Sequence, residues 1–399
     1  MFASLSFDVP PSRLAAVLLC VFLIPLAISR LGCNFIMKKS AALGLIDQPG
    51  ERKIHTQPIP SGGGLGIWLG VVAPLAVISI LALFRARLAL PDEVALRLEG
   101  VAFRLKELWT ILGLGSCLTL LGALDDRYNL SWKLRLSVEF LVAIAAVSLG
   151  WRATFFVDAP YLTYPLSVLW IVGLVNAFNM LDNMDALSGG VATIASLFLA
   201  TISLFLAPNP ISGEPQYFLA FFLVALAGAI CGFLTLNRPP AKLFMGDGGA
   251  YFIGFLLATT TLAATFVGEN APRSAVFTPV VVLAVPIYDV VSVVIIRTLN
   301  GVSPFVGDKN HYSHRLNALG LTKTQAVLTV YLTTAICASG AFYLYQVNLI
   351  CAVLVMAQTI MTLCLIAVLE FTARKKIREQ SEAIKREEDV AEKSRKNKD

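Results

Sequence analysis

Charge is what this chain has least of. Only 15% of its 399 residues are Asp, Glu, Lys or Arg, where a soluble domain carries about a quarter. Such a composition excludes an ordinary soluble globule. Histidine is rarer still, with three in the chain, at positions 55, 311 and 314. The seven cysteines (20, 33, 117, 231, 337, 351 and 364) lie singly in or beside apolar runs. No CxxC occurs, so neither a thiolate zinc site nor a disulfide framework is suggested, and the cysteines read as small buried hydrophobes. No long stretch alternates apolar and polar residues, which excludes a membrane β-barrel. Excess charge of one sign is also lacking: the net charge is +6, and the most charged segment, after Phe371, mixes ten basic with seven acidic residues. Mixed signs argue against a nucleic-acid partner.

Apolar residues take the place of charge. They make up 57% of the chain, and the mean hydropathy is +0.73. Spanning a bilayer takes about 20 apolar residues. Runs of that kind occur at roughly 12–30, 63–84, 108–124, 134–150, 162–180, 187–207, 216–236, 249–267, 276–299, 325–346 and 348–370, about eleven in all. The expected fold class is therefore all-α, a polytopic membrane helix bundle. Residues 1–370 form the integral-membrane domain, and 371–399 a charged tail that is flexible or an exposed helix. Arg13 is the one clear positive charge before the first run, and no small-x-small cleavage pattern follows. That run reads as a retained span rather than a signal peptide.

With eleven spans, the odd-numbered loops share a side with the tail. The first holds Lys38, Lys39, Arg52 and Lys53; the third reads DDRYNLSWK, the fifth LDNMDA, the seventh NRPPAKLFMGDGG and the ninth NGVSPFVGDKNHYSHRLNALGLTKTQ. The even loops are short or chemically plain. Basic residues favour the cytoplasm, and Arg374, Lys375, Lys376 and Arg378 directly follow the last span. The odd side, with the C-terminus, is therefore expected in the cytoplasm. Residues 85–107 resist this pattern: they carry Arg85, Arg87, Arg97, Arg104 and Lys106 yet fall outside. Acids, histidines and glycine-rich turns all gather on the odd side, as one active site assembled from five cytoplasmic loops would require.

Each loop carries a cluster. In NAFNMLDNMDALSGG, the residues Asn176, Asn179, Asp182 and Asp185 recur every third position. Successive members rotate by about 60° on a helix, so neighbours share a face. At a membrane boundary that face must meet water, a metal or a polar ligand. Asp125 and Asp126 are adjacent carboxylates in GALDDRYN, and a divalent cation or a basic ligand would relieve their repulsion. KLFMGDGG sets Lys242, Phe244 and Asp247 beside glycines that admit a ligand close to backbone. DKNHYSHRL holds Asp308, His311, His314 and Arg315. With no cysteine near, anion binding suits the two histidines better than zinc. Carboxylates for a hard cation, joined by scattered Lys, Arg and His, are equipment for Mg²⁺-assisted phosphoryl transfer. A site at the membrane face implies a lipid substrate.

In this order the motifs resemble the polyprenyl-phosphate N-acetylhexosamine-1-phosphate transferases, with the peptidoglycan phospho-MurNAc-pentapeptide transferase as a more distant relative. Matching motifs run from Asp47 to Arg315. The resemblance implies that undecaprenyl phosphate attacks a UDP-sugar, giving undecaprenyl-diphospho-sugar and UMP, with Mg²⁺ (or Mn²⁺) required. It implies Asp125, Asp126 and His311 as catalytic, Asp125 either deprotonating or positioning the lipid phosphate. Asn179 and Asp247 match metal positions, Asp182 and Asp185 nucleotide-side acids, and Phe244 the aromatic under the uracil. His311, His314 and Arg315 fall in a loop that would hold diphosphate or sugar, with Lys53 and Lys242 as phosphate partners. The implied setting is the bacterial inner membrane and envelope polysaccharide synthesis.

The chain departs from the family pattern at Asn183 and Ala186, where DGxDGL becomes DNMDAL. It departs also at Ser61, where a basic residue is common, and at Ser313, where HxHH becomes HYSH. These bear on the donor sugar more than on the reaction. Two rivals are weighed against this reading. The peptidoglycan enzyme usually has a denser histidine cluster. A transporter predicts mid-span acids, of which Glu139 and Asp289 are candidates, and an inverted repeat, which the sequence lacks. A homodimer is compatible with the sequence, though no motif marks one.

Overall fold

The computed structural model describes residues 10–48, 57–88, 91–153, 159–207, 215–264, 273–303 and 310–396. Lys53, His55 and Asp308 lie outside them. Among the described residues the chain is a helix bundle with one two-residue antiparallel pair, β1 (Ile46–Asp47) and β2 (Ile59–Pro60). The helices are α1 (Pro11–Leu43), α2 (Gly63–Phe84), α3 (Asp92–Tyr128), α4 (Trp132–Ser148), α5 (Pro160–Leu181), α6 (Leu187–Phe205) and α7 (Tyr217–Asn237). They continue with α8 (Asp247–Ala263), α9 (Thr278–Val282), α10 (Ala284–Leu299), α11 (Tyr312–Ala318), α12 (Lys323–Tyr343) and α13 (Leu349–Lys396).

Local chemistry sets several ends. Pro11 and Pro160 start α1 and α5, where the missing N–H costs nothing. Thr322 and Gln325 form a reciprocal capping box on α12. Gly44, at φ 71°, closes α1 in the left-handed conformation.

Apart from 276–299, which is broken between α9 and α10, and the end of 249–267, which lies outside the described residues, each apolar run expected to span falls on one helix. Among the described residues, eight helices are long and apolar enough to cross a membrane, or nine if Ser274–Val282 and Ala284–Leu299, bent by 66°, count as one. The expected number was about eleven. The difference lies in α4 and α8, each of 17 residues. At about 1.5 Å per residue they fall short of a straight crossing of a roughly 30 Å core.

The structure also explains residues 85–107. They are no simple loop: α3 begins at Asp92 and runs for 37 residues. Arg97, Arg104 and Lys106 ride on this extension. Arg104 lies with Tyr217 and Ala263 around a small hollow, at the end of α8 opposite Asp247.

Two helices form the centre. α8 is buried continuously from Gly248 to Thr261, and α7 over most of its length. Outward faces of α1, α4, α5 and α13 expose Leu31, Leu141, Tyr161 and Ile350, as lipid-facing surface requires. Within the bundle, polar side chains bond across helices: Trp68 Nε1 donates to Ser116 Oγ (2.7 Å) and Trp170 Nε1 to Thr261 Oγ1 (3.0 Å).

The start of α8 is wedged between α2 and α3. A Cβ at Gly64 would fall on the backbone of Gly249, and one at Gly122 on that of Gly248. Without a side chain at these two positions, three helices meet at Asp247.

Candidate active site

All five polar loops converge on one cleft of about 830 Å³ at one end of the bundle. Asp47 and Ser61 enter from the first loop and Asp126 from the end of α3. Asp182 and Asp185 come from the α5–α6 turn, Lys242, Phe244 and Asp247 from the α7–α8 loop, and His314 from α11.

The acids are linked. Asp247 Oδ1 accepts from Asn179 Nδ2 at 2.9 Å, and the Asp247 backbone N–H donates to Asp126 Oδ1 at 3.2 Å. Arg135, in the first turn of α4, forms a short ion pair with Asp125 and reaches Asp247 Oδ2 at 3.3 Å. Asp125 Oδ1 also accepts from the Leu130 N–H at 2.7 Å. The Asp125 carboxylate is thus tied down on both oxygens behind the cleft. Asp126 Oδ2 differs: it is buried with no hydrogen-bond partner among the described residues.

Asp182 caps α5 and faces the cleft. Burial, then the neighbouring charges of Asp126 and Asp185, push its carboxyl up to about 7. Asp185 Oδ2 accepts from the Ala241 N–H at 3.0 Å, holding the α5–α6 turn against the loop that carries Lys242. Backbone pairing docks Phe244 on the first loop: Phe244 N donates to Pro60 O, and Gly63 N to Phe244 O, both at 2.9 Å.

His311 and Arg315 do not line the cleft. His311 Nδ1 lies 2.9 Å from Asp289 Oδ2 on α10, and Arg315 Nε 2.6 Å from Glu370 Oε2 on α13. Both pairs are buried. The mid-span acids that would suit a transporter are thereby engaged: Asp289 holds α11, and Glu139 accepts from Asn176.

All four departures sit at or beside this site, and Ser61 and Asn183 line the cleft. Ser313 Oγ donates to Asn183 Oδ1 at 2.5 Å, joining α11 to the α5–α6 turn. Ala186 holds φ 64°, a conformation that ordinarily favours glycine. Its N–H donates to Asn237 Oδ1 at 2.8 Å, and its carbonyl accepts from the Tyr331 hydroxyl.

Sequence reasoning passed over Arg135, Lys323 and Asn237. Arg135 had a signal, since an arginine that opens an apolar helix ten residues after an acid pair can fold back onto it. Lys323 lines the cleft from the start of α12 and carried no sequence cue.

Among the described residues, no three His, Cys, Asp or Glu side chains converge tightly enough to hold a metal by themselves. The donors do fit Mg²⁺, which takes one or two carboxylates and completes its shell with water and phosphate oxygens. Asp247, the amide oxygen of Asn179 and the orphaned Asp126 Oδ2 supply hard oxygen, and Lys242 adds positive charge. The arrangement can hold a cation beside a phosphate, with an apolar surface at Phe244 for a ring.

The profile of the family described as Glycosyl transferase family 4 matches residues 108–265, which run from the apolar part of α3 through α8. A Bacillus subtilis protein named "Probable undecaprenyl-phosphate N-acetylglucosaminyl 1-phosphate transferase" is 34% identical over 74% of this chain and 76% of its own length. The Mycobacterium tuberculosis "Decaprenyl-phosphate N-acetylglucosaminephosphotransferase" is 32% identical over 76% of each chain. The Escherichia coli K12 "Undecaprenyl-phosphate alpha-N-acetylglucosaminyl 1-phosphate transferase" is 28% identical over 76% of this chain and 78% of its own. With a relative so similar along three quarters of both chains, this multi-pass membrane protein belongs to glycosyl transferase family 4, among the polyprenyl-phosphate N-acetylhexosamine-1-phosphate transferases.

Proposed function

We propose that the chain transfers N-acetylhexosamine-1-phosphate from a UDP-sugar to a polyprenyl phosphate such as undecaprenyl phosphate, releasing UMP. The observation that carries the reading is the convergence of Asp126, Asp182 and Asp247 with Lys242 and Phe244 in one cleft at the end of a membrane bundle. The names of the relatives agree with it.

In this reaction an oxygen of the lipid phosphate bonds to the β-phosphorus of the donor. The bond from that phosphorus to the bridging oxygen breaks, and the electron pair leaves with UMP. Two anions must approach each other, so fixed positive charge and low reorganisation dominate. Mg²⁺, held by Asp247 and Asn179 with Asp126 beside them, would supply charge neutralisation at the diphosphate. Lys242 faces the same space, and Phe244 offers a flat surface for uracil. Arg135 holds Asp125 in an ion pair, which supports a positioning role for Asp125. The lipid phosphate is already ionised near neutral pH and needs no strong base. The reading puts the protein in the bacterial inner membrane, with cleft and C-terminus in the cytoplasm, at the first membrane step of an envelope polysaccharide.

The test is a product assay. Detergent-purified protein receives undecaprenyl phosphate, Mg²⁺ and a panel of UDP-sugars, and UMP release is followed. UMP that requires lipid and metal, and that disappears in Asp247→Ala, is the expected result. A folded protein that releases no UMP from any donor would overturn the assignment.

A further inference from the structure

α11 has only seven residues, too few to hold its own conformation. Its position is set from outside. Asp289 on α10 receives His311 Nδ1 at 2.9 Å and the Tyr312 N–H at 2.6 Å. Glu370 on α13 receives Arg315 Nε at 2.6 Å and the Tyr288 hydroxyl at 3.2 Å. Arg315 also donates to the Asn310 carbonyl at 2.5 Å, closing the turn before α11, and its guanidinium stacks 5.6 Å from the Tyr288 ring centre. Side chains of Arg315 and Glu370 are 2% and 6% exposed. The residue just before Arg315, His314, lines the cleft, as does Asn183, which Ser313 holds.

From this geometry we infer that Glu370 is a positioning residue for the transfer reaction: through Arg315 it fixes α11 so that His314 meets the sugar nucleotide. The inference rests on the function proposed above. Glu370 lies 123 residues beyond Asp247, in the last apolar turns of α13, and touches none of the cleft. A buried carboxylate earns its place only when paired, and here both partners of the pair face away from substrate. Glu370 supplies a rigid second support to a short helix that Asp289 alone would leave free to pivot. Positioning groups of this kind matter because displacements of about 1 Å can cost a hundredfold in rate.

The experiment is a double-mutant cycle on UMP release. Glu370→Gln is paired with His314→Ala, and Glu370→Asp is run beside them, because it keeps the charge and the fold while shortening the reach. Thermal unfolding in detergent checks that each variant is folded. In the wild-type background, Glu370→Asp or Glu370→Gln is expected to lower kcat/KM for the UDP-sugar about tenfold and leave KM for polyprenyl phosphate unchanged. In the His314→Ala background, neither should lower it further. Unchanged donor kinetics in folded Glu370 variants would overturn the inference, and so would an equal loss in both backgrounds, which marks general destabilisation. A folded wild type that releases no UMP would instead sink the proposed function, and this inference with it.

Discussion

Two residues carry conformational or electrostatic tension that a measurement can read. Ala186 sits at φ 64°, where an L side chain costs roughly 1–2 kcal/mol per residue. Asn237 and Tyr331 hold it there by its own backbone groups. Ala186→Gly should raise the unfolding free energy by about 0.5–1 kcal/mol after the unfolded chain's extra freedom is subtracted, seen as a higher Tm in detergent. A lower Tm would mean that the methyl packs usefully. Asp182 is the second case. Its folded carboxyl ionises near 7, above the ordinary carboxylate range. Its contribution to stability is therefore complete below the unfolded pKa and is lost as pH rises through about 7. Metal-free protein should lose thermal stability across that pH step, and Asp182→Asn should flatten it. A cation that binds the ionised form should protect more at pH 8 than at pH 6. Equal protection at both would place Asp182 outside any cation site.

At the scale of elements, the starting point of α8 decides where Asp247 stands. Gly64 and Gly122 let α2 and α3 close on the DGG backbone. A methyl at Gly122 meets rigid backbone that cannot rotate aside. Gly122→Ala should cost about 1–3 kcal/mol and reduce UMP release at least tenfold. Gly113→Ala is its control, because nothing lies within 4 Å of a Cβ there; it should leave activity intact and gain up to about 1 kcal/mol in helix propensity. If both behave alike, the wedge does not matter. The same elements show what a sequence displays. Asp126, Asp182, Asp185 and Asp247 were legible because acids at the ends of apolar runs have few structural excuses. The glycines beside Asp247 were legible as points of close approach, but the backbones of α2 and α3 approach there where the sequence suggested a ligand. Arg135 was half hidden: its tie to Asp125 is local, but its reach to Asp247 spans 112 residues of chain, a contact no local spacing encodes. The buried posts of His311 and Arg315 were also hidden, because a histidine-rich loop looks the same whether it faces ligand or anchors a helix. The length of α3 was masked by its charges, which suggest a loop although the backbone stays helical.

For the molecule as a whole, the question is which way it faces. α12 starts at the cleft with Lys323, and α13 returns so that Glu370 meets α11 beside the cleft. The charged tail therefore leaves the bundle at the cleft face, while Arg104 sits at the other end. Basic residues now occur at both ends, and the positive-inside rule must be decided by weight and position. Four basic residues within eight of Phe371, with Lys38 and Lys39 at the end of α1, outnumber the five basic residues of 85–107 even when Asp92, Glu93, Glu99 and Glu107 are given no weight, as the rule holds. In a cysteine-free background, Lys242→Cys should resist a membrane-impermeant maleimide in intact cells and react in inverted vesicles, and a C-terminal tag should behave the same way. Tyr343→Cys, at the far end of α12 and exposed, should do the opposite. If positions 242 and 343 label from one side, α12 does not cross the membrane. If their sides are exchanged, the basic extension of α3, and not the tail, sets the topology, and the cleft would open away from the cytoplasm.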